Sequence, residues 1–455
     1  MNIFRKYLLG DKSFYQELLV VGLPIVLQNL LTSSLNLIDT LMVGRLGEQA
    51  IASVGVSNKF YFVLNFVLTG VAAGCGIFIS QYLGRKDKQG MRRSLGVSIV
   101  CSLSLGIFFM LLALLFPVQI IGLFQEDAGF IADTCAYFQI VCFSYPLSAL
   151  TYAYASGLRN TGQSIYPMVS SAAGVFTNIF LNYVLIFGNF GAAAFGIRGA
   201  AIATLIARLV ELLVILSLVY LRKTVFAVPV RELFSFSKAF FKELLRPISH
   251  TAGNELAWTL GTVAYTVAYG KLGIDALAIS QIYSDLQGFF SIFFYGIASA
   301  AIVFVGREIG RGHRELAVFY GKRLTLLSAI AAVFVSSILF FCAPAFAGLF
   351  KLKPVLQTAA AMTIRTVALP FVCFAVNTVI LTGVLRGGGD TKIPLLIEVF
   401  TMWCIGVPLA FIGAMFLKLP IYLVMPLVYG EEVLKTVIFS RRLLRGKWAL
   451  DVIGE

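Results

Sequence analysis

Leu37-Ile38-Asp39-Thr40-Leu41-Met42-Val43-Gly44-Arg45-Leu46-Gly47 closes the first long apolar run of the chain, which begins near Leu18. Asp39 lies about one turn from the end of that run. A carboxylate in hydrocarbon costs roughly 2.5–3.5 kcal/mol on insertion scales, so Asp39 is a functional residue by default. The corner that follows it recurs: Gly44-Arg45-Leu46-Gly47 returns as Gly270-Lys271-Leu272-Gly273. Gly84-Arg85 returns as Gly310-Arg311, and Leu158-Arg159 with Gly162 and Pro167 returns as Leu385-Arg386 with Gly389 and Pro394. The spacing (44 to 270, 84 to 310, 158 to 385) holds to within one residue through three loops, which chance matches would not do; the chain is an internal duplication.

The duplicated unit is a membrane one. Of 455 residues 59% are hydrophobic and 13% charged, against about 25% charged in a soluble domain. A spanning helix needs about 20 apolar residues. Twelve such stretches are predicted, at about 16–43, 52–80, 94–116, 130–156, 163–187, 198–221, 243–269, 276–304, 322–344, 356–384, 393–417 and 420–440. The expected fold is an all-α integral membrane protein of two pseudo-symmetric six-helix bundles, residues 1–221 and 247–455. The basic stretch 222–246 forms a cytoplasmic linker between them, with an amphipathic helix on the membrane surface as one form it takes. Six spans per half return the chain to its starting side, so the repeats are parallel, an architecture that points to alternating access by rocking one bundle against the other.

The net charge of +14 does not mark a nucleic-acid binder, because the cations are sorted by side. Arg5, Lys6 and Lys12 precede the first span, Arg85, Lys86, Lys88, Arg92 and Arg93 follow the second, and Arg441, Arg442, Arg445 and Lys447 close the chain. Odd-numbered connections hold only Arg45, Arg198, Lys271, Lys351, Lys353 and Lys418. The positive-inside rule then puts both termini in the cytoplasm, in a multi-pass protein of the cell inner membrane. No leader with a small-residue cleavage site heads the chain, so no signal peptide is expected. The cysteines, Cys75 to Cys404, show no paired spacing and read as packing residues. Metal-ligand spacings, HExxH and a phosphate loop are all missing, so an enzyme or an ATP-driven pump is not expected, and an ion gradient must supply the energy.

Polar residues on helical faces mark the candidate sites. Gln28, Thr32, Asn36 and Asp39 share one face of the first span; Gln28 and Asn36 are candidates for a substrate cavity, and helix–helix glue is the rival role for Gln28 and Thr32. In the fifth span Gly174, Asn178 and Asn182 share a face, and two embedded amides offer oxygens to a cation or donors to a carboxylate. Thr204 and Tyr137 are weaker additions to that group. The repeat puts Tyr265 where Asp39 stands, and the second half carries Glu255 instead, beside Asn254 and Trp258. These four residues form a candidate second ion or substrate site. Arg208 and Glu211 are spaced for a local pair, and Glu431 and Glu432 fall at the cytoplasmic part of the last span.

Together, Pro24, Gln28, Asp39 and Gly44-Arg45-Leu46-Gly47, Leu158-Arg159-Asn160-Thr161-Gly162, the run Asn178 to Gly188, and Leu385-Arg386-Gly387-Gly388-Gly389-Asp390-Thr391 resemble the multidrug and toxic compound extrusion (MATE) transporters along nearly the whole chain. The resemblance implies export of organic, often cationic, compounds or drugs against inward H⁺ or Na⁺, with no other cofactor. It implies a cation site at Asp39 with Asn178, Asn182, Thr204 and Tyr137, with Na⁺ held at Asp39, Asn178 and Asn182. Some relatives carry an acid where Asn182 stands, so this site is one charge poorer. One branch of the family uses a glutamate matching Glu255 together with an aspartate in span ten. Span ten here has Arg365 and Asn377 but no acid. The expected partners are these small molecules and the lipid bilayer, with no nucleic acid, and a monomer is expected. A lipid-linked precursor flippase of the same broad superfamily is the alternative, and a gated channel a more distant one.

Overall fold

The computed structural model describes residues 12–124, 127–350 and 353–454; Arg5, Lys6 and Lys351 of the charge pattern lie outside them. Among the described residues, with a few short turns of helix between them, twelve long helical segments follow one another. They are α1 (Lys12–Gly44), α2 (Glu48–Arg85), α3 (Lys88–Leu115), α4 (Ala128–Val141 with Ser144–Asn160), α5 (Ile165–Phe187) and α6 (Gly196–Leu221), then α7 (Lys238–Gly270), α8 (Ile274–Gly310), α9 (Arg314–Phe341), α10 (Pro354–Thr378, running on through Val379–Leu385), α11 (Lys392–Thr401, running on to Phe416) and α12 (Ile421–Val428 with Gly430–Arg445). Among the described residues, nine of these are long and apolar enough to cross a bilayer. The other three have local reasons. α4 is interrupted at Cys142 and Phe143, α12 at Tyr429, and α7 carries Asn254, Glu255 and several threonines where its neighbours carry leucine and valine.

The repeat is visible in the backbone. The corner after α1 ends on Gly47 with φ of +110°, and its copy after α7 ends on Gly273 with φ of +109°. Only glycine adopts that conformation without strain, so both copies keep it. The turns after α4 and α10 repeat the rule, with Gly162 and Gly389 both at +79°.

Contacts gather the chain into two compact units. One comprises the described residues of Met1–Gly22, Ser80–Lys86 and Gly253–Glu455; the other comprises Leu23–Ile79 and Asp87–Ala252. The first unit is packed around Phe294, Phe304, Val367, Phe371 and Ile380, the second around Leu64, Leu68, Phe138 and Tyr145. Close helix crossings depend on glycine. In the first unit a Cβ on Gly84 would overlap the Arg307 carbonyl, and a Cβ on Gly310 would overlap the Gln81 carbonyl. Residues 84 and 310, like 81 and 307, are repeat equivalents, so this crossing has the local symmetry of the duplication. Away from these cores, Leu41, Phe108, Leu213, Phe334 and other large apolar side chains stay exposed, as a hydrocarbon solvent allows.

The 222–246 stretch packs against the helices of its own unit. Phe226 is fully buried against Gly157, Arg92 donates to the Val225 carbonyl and to Glu232, and Gly96 abuts the Leu233 carbonyl. A separate helix here is only four residues, Val230–Leu233; the residues from Lys238 are the first turns of α7. Phe226 packs onto α4, while Phe234 stays exposed.

Candidate functional site

In the second unit α1, α5 and α6 bring four of the predicted residues into one hydrogen-bonded chain. The Asn182 amide, fully buried, donates to Asp39 Oδ1 at 2.6 Å and to Asn178 Oδ1 at 2.9 Å. Asn178 in turn donates to the Thr204 hydroxyl at 3.3 Å. The buried Tyr137 from α4 lies against Thr204 and within electrostatic reach of Asp39 and Arg208. The four-residue spacing on α5 puts both amides on one face, and an amide donating to a carboxylate contributes about 1.5–3 kcal/mol, enough to offset much of the cost of embedding Asp39. Asn182 gives both its bonds from nitrogen, so its Oδ1 is buried with no partner. Hard oxygen donors of this kind suit Na⁺, and the carboxylate suits H⁺ equally.

A second chain of polar contacts runs from α4 to α6. Arg159 donates to Gln28 Oε1 at 2.8 Å, Gln28 donates to the Ser171 hydroxyl at 2.7 Å, and Ser171 donates to Glu211 Oε1 at 2.6 Å. Glu211 Oε2 accepts from Arg208 at 2.7 Å. Arg208 therefore pairs with Glu211 while its charge reaches Asp39. Gln28 belongs to this chain, and Asn36 sits on an exposed face of α1 with its carbonyl accepting from Thr40. Ser171 had no signal of its own in the sequence, being one small residue among many on α5.

The four residues of the candidate second site divide between two neighbourhoods of the first unit. Glu255 Oε1 and Asn254 Oδ1 both accept from Arg386, each at 2.7 Å. The Arg386 and Glu255 side chains are only 5% and 13% exposed, so the acid of α7 is already neutralised by the chain's own cation. Residues 28 and 254, and 159 and 386, are repeat equivalents, so Arg386 on Asn254 copies Arg159 on Gln28. That parallel was available in the sequence from the offsets alone. Trp258 is half-buried one turn on. Tyr265 points elsewhere, donating to Glu431 Oε1 at 2.7 Å. Glu431 and Glu432 are buried, together with Glu398 and Lys435.

A profile of the MatE family matches the chain twice, over residues 24–184 and again over 251–412. A probable multidrug resistance protein NorM of Thermotoga maritima is 24% identical over 98% of this chain and 96% of its own length. An uncharacterized transporter, YisQ, of Bacillus subtilis is 25% identical over 95% and 94%. Among solved structures, the outward-facing conformation of a multidrug resistance MATE family transporter of the MOP superfamily superposes with a TM-score of 0.86 at 19% identity, covering 98% of this chain and 99% of that one. A MOP superfamily transporter from Pyrococcus furiosus does so at 0.85 and 18%. These likenesses carry the fold: twelve helices in two repeats. With the family profile covering both repeats, the chain belongs to the MatE family, the multidrug and toxic compound extrusion transporters.

Proposed function

We propose that this protein exports organic cations from the cytoplasm in exchange for H⁺ or Na⁺ moving inward through a site at Asp39. The observation that supports this is the Asp39–Asn182–Asn178 chain with its buried, unpartnered Asn182 oxygen. Turning the Asn182 amide over would withdraw its donors from Asp39 and Asn178 and offer Oδ1 to an incoming cation. Asp39, Asn178 and Asn182 would then hold Na⁺ as an all-oxygen set, or Asp39 alone would hold H⁺. Occupying that set restores neutrality at Asp39 and breaks the present bonds between α1 and α5. That is the kind of local change a bistable bundle converts into a larger one. The two halves, 1–221 and 247–455 about the 222–246 connection, would alternate access with both termini in the cytoplasm of a cell whose inner membrane holds the protein. A single chain carries every group this scheme uses. The flippase alternative asks for unpaired arginines to hold pyrophosphate, whereas Arg208 and Arg386 are both tied to glutamates.

Efflux of a fluorescent organic cation from proteoliposomes, with a pH gradient and a Na⁺ gradient imposed separately, tests the scheme. Asp39→Asn is expected to abolish efflux under whichever gradient drives the wild type, while folding and inserting normally. Gradient-driven efflux at the wild-type rate from Asp39→Asn would sink the reading.

A further inference from the structure

Lys435 on α12 is the most deeply buried charge of the first unit, at 1% exposure, and three glutamates surround it. Its ammonium is 2.9 Å from Glu398 Oε1, 2.9 Å from Glu432 Oε1 and 3.5 Å from Glu431 Oε1. Three buried carboxylates around one ammonium leave two negative charges uncompensated, a state that low-dielectric surroundings do not support. The Glu255–Arg386 pair nearby is neutral overall and adds no relief. The remaining ionisable neighbours are tyrosines: Tyr265 and Tyr269 from α7, Tyr283 from α8 and Tyr429 from α12. Phenols bring no positive charge at neutral pH.

The three acids are not equally supported. Glu398 and Glu432 hold the short contacts to Lys435, and Glu432 also accepts from Asn377 at 2.7 Å. Glu431 has the longest ammonium contact and one hydroxyl donor, Tyr265, while its Oε2 is buried with no partner. The Asn377 oxygen is likewise buried without a partner. Among the described residues no trio of acidic or thiol ligands is arranged to hold a metal ion, and Lys435 already fills the place between the carboxylates. Protons are thus the source of the missing positive charge, and Glu431, whose ionised form is least provided for, is the first carboxyl to take one; a single negative charge then remains, shared by Glu398 and Glu432 about Lys435.

Three helices also leave regular α geometry around this point. α10 opens into wide turns at Val379–Leu385, just after Asn377, and α11 does so at Met402–Gly406. α12 breaks at Tyr429, two residues before Glu431. Gly406 faces the Tyr265 hydroxyl, and a Cβ there would lie 2.8 Å from Glu431 Oε2, so a bare backbone on the opened turn makes room for the pair. Such turns concentrate at functional sites because they loosen the backbone locally.

From this geometry we infer that Glu431 is a proton-exchanging carboxyl of the C-terminal half, paired with Tyr265 and set against the Glu398–Glu432–Lys435 triad. It belongs to the first unit, Asp39 to the second, and its protonation is measurable without transport. The test is infrared spectroscopy of the purified full-length protein in lipid, recording carboxylic-acid C=O bands through a pH titration. The wild type is expected to show a band that disappears on raising the pH through the neutral range, shifts in D₂O, is lost in Glu431→Gln and is retained in Asp39→Asn. The same band in Glu431→Gln, or its loss in Asp39→Asn alone, would overturn the assignment. Should Glu431→Gln not fold, Tyr265→Phe serves. Removing the hydroxyl that donates to the carboxylate should move the band's disappearance to higher pH, and an unchanged midpoint would count against the inference. Failure of the Asp39 scheme shows up separately, as unimpaired efflux.

Discussion

Replacing Arg386 should injure the protein far more than replacing its repeat equivalent, Arg159. Both arginines donate to an amide on the first helix of their half, at 2.7 Å to Asn254 and 2.8 Å to Gln28. Arg386 alone also neutralises a carboxylate, Glu255. Arg386→Met therefore strands a buried charge, for which about 3–5 kcal/mol is the usual loss. Arg159→Met strands one neutral amide oxygen and the loss is about 1–3 kcal/mol, since Glu211 keeps Arg208 and Ser171. The difference, about 2 kcal/mol, is roughly a thirtyfold change in the folded-to-unfolded ratio. Denaturant titration in micelles followed by circular dichroism reads both variants. Tryptophan emission reads the first unit separately, because Trp258, Trp403 and Trp448 all belong to it. Arg386→Met combined with Glu255→Leu should recover most of the stability lost by the single change, because the pair can be removed together at little cost. Equal losses for the two arginines, or a double variant no better than Arg386→Met, would refute the reasoning.

Three further outcomes are expected. Gly310→Ala forces its Cβ into the Gln81 carbonyl and should destabilise by about 1–3 kcal/mol, whereas Gly288→Ala, with open space around it, should change a melting curve little. Ser171→Ala removes the hydroxyl joining Gln28 to Glu211 and should cost about 1–3 kcal/mol in the same titration, with Arg208→Met additive to it only in part. Asp390, in the turn between α10 and α11, is held above the usual carboxylate range by burial, with Arg442 pulling the other way. The folded protein then binds that proton more tightly than the unfolded chain, so this group adds stability as pH falls through its folded value towards ~3.9. Asp390→Asn should match or exceed wild type in melting temperature at neutral pH and lose ground on acidification; a gap that widens in its favour with acid would contradict the sign.

Much of this architecture could be read from spacing. The constant offset and the length of the apolar runs carry the repeat and the helix number, because duplication and lipid as solvent each leave a one-dimensional mark. The Asn178–Asn182 face was legible for the same reason, since helical periodicity alone places both amides together. What spacing could not give was partner choice across helices. Glu255 looked like a free acid because Arg386 is 131 residues away in the chain. Tyr265 looked like its neighbour because both lie on α7, although a ten-residue separation sets them nearly three turns apart on that helix. Hydropathy places Glu431 and Glu432 at the cytoplasmic part of the last span but does not register Lys435 and Glu398, the partners that share their burial.

The two halves show why duplication did not preserve the acid. The scaffold elements present in both copies are the corner glycines and the glycine crossing, which depend on backbone geometry that a second copy must satisfy again, and the arginine-on-amide bond between side chains. An embedded carboxylate depends instead on whatever donors and cations reach it from other helices. In the first repeat that is one amide on α5, Asn182, itself bonded to Asn178, and among the described residues no cation pairs directly with Asp39. In the second repeat the position equivalent to Asp39 is Tyr265, whose hydroxyl serves an acid on another helix, Glu431. The second half thus carries a buried acid on α12, and a donor stands at the place near the end of its first helix. If Glu431 exchanges protons, Tyr265→Asp in a Glu431→Gln background should restore a titrating carboxyl to the second half, reproducing the arrangement of the first. Infrared spectra lacking that band in a folded double variant would show that the two positions are not interchangeable.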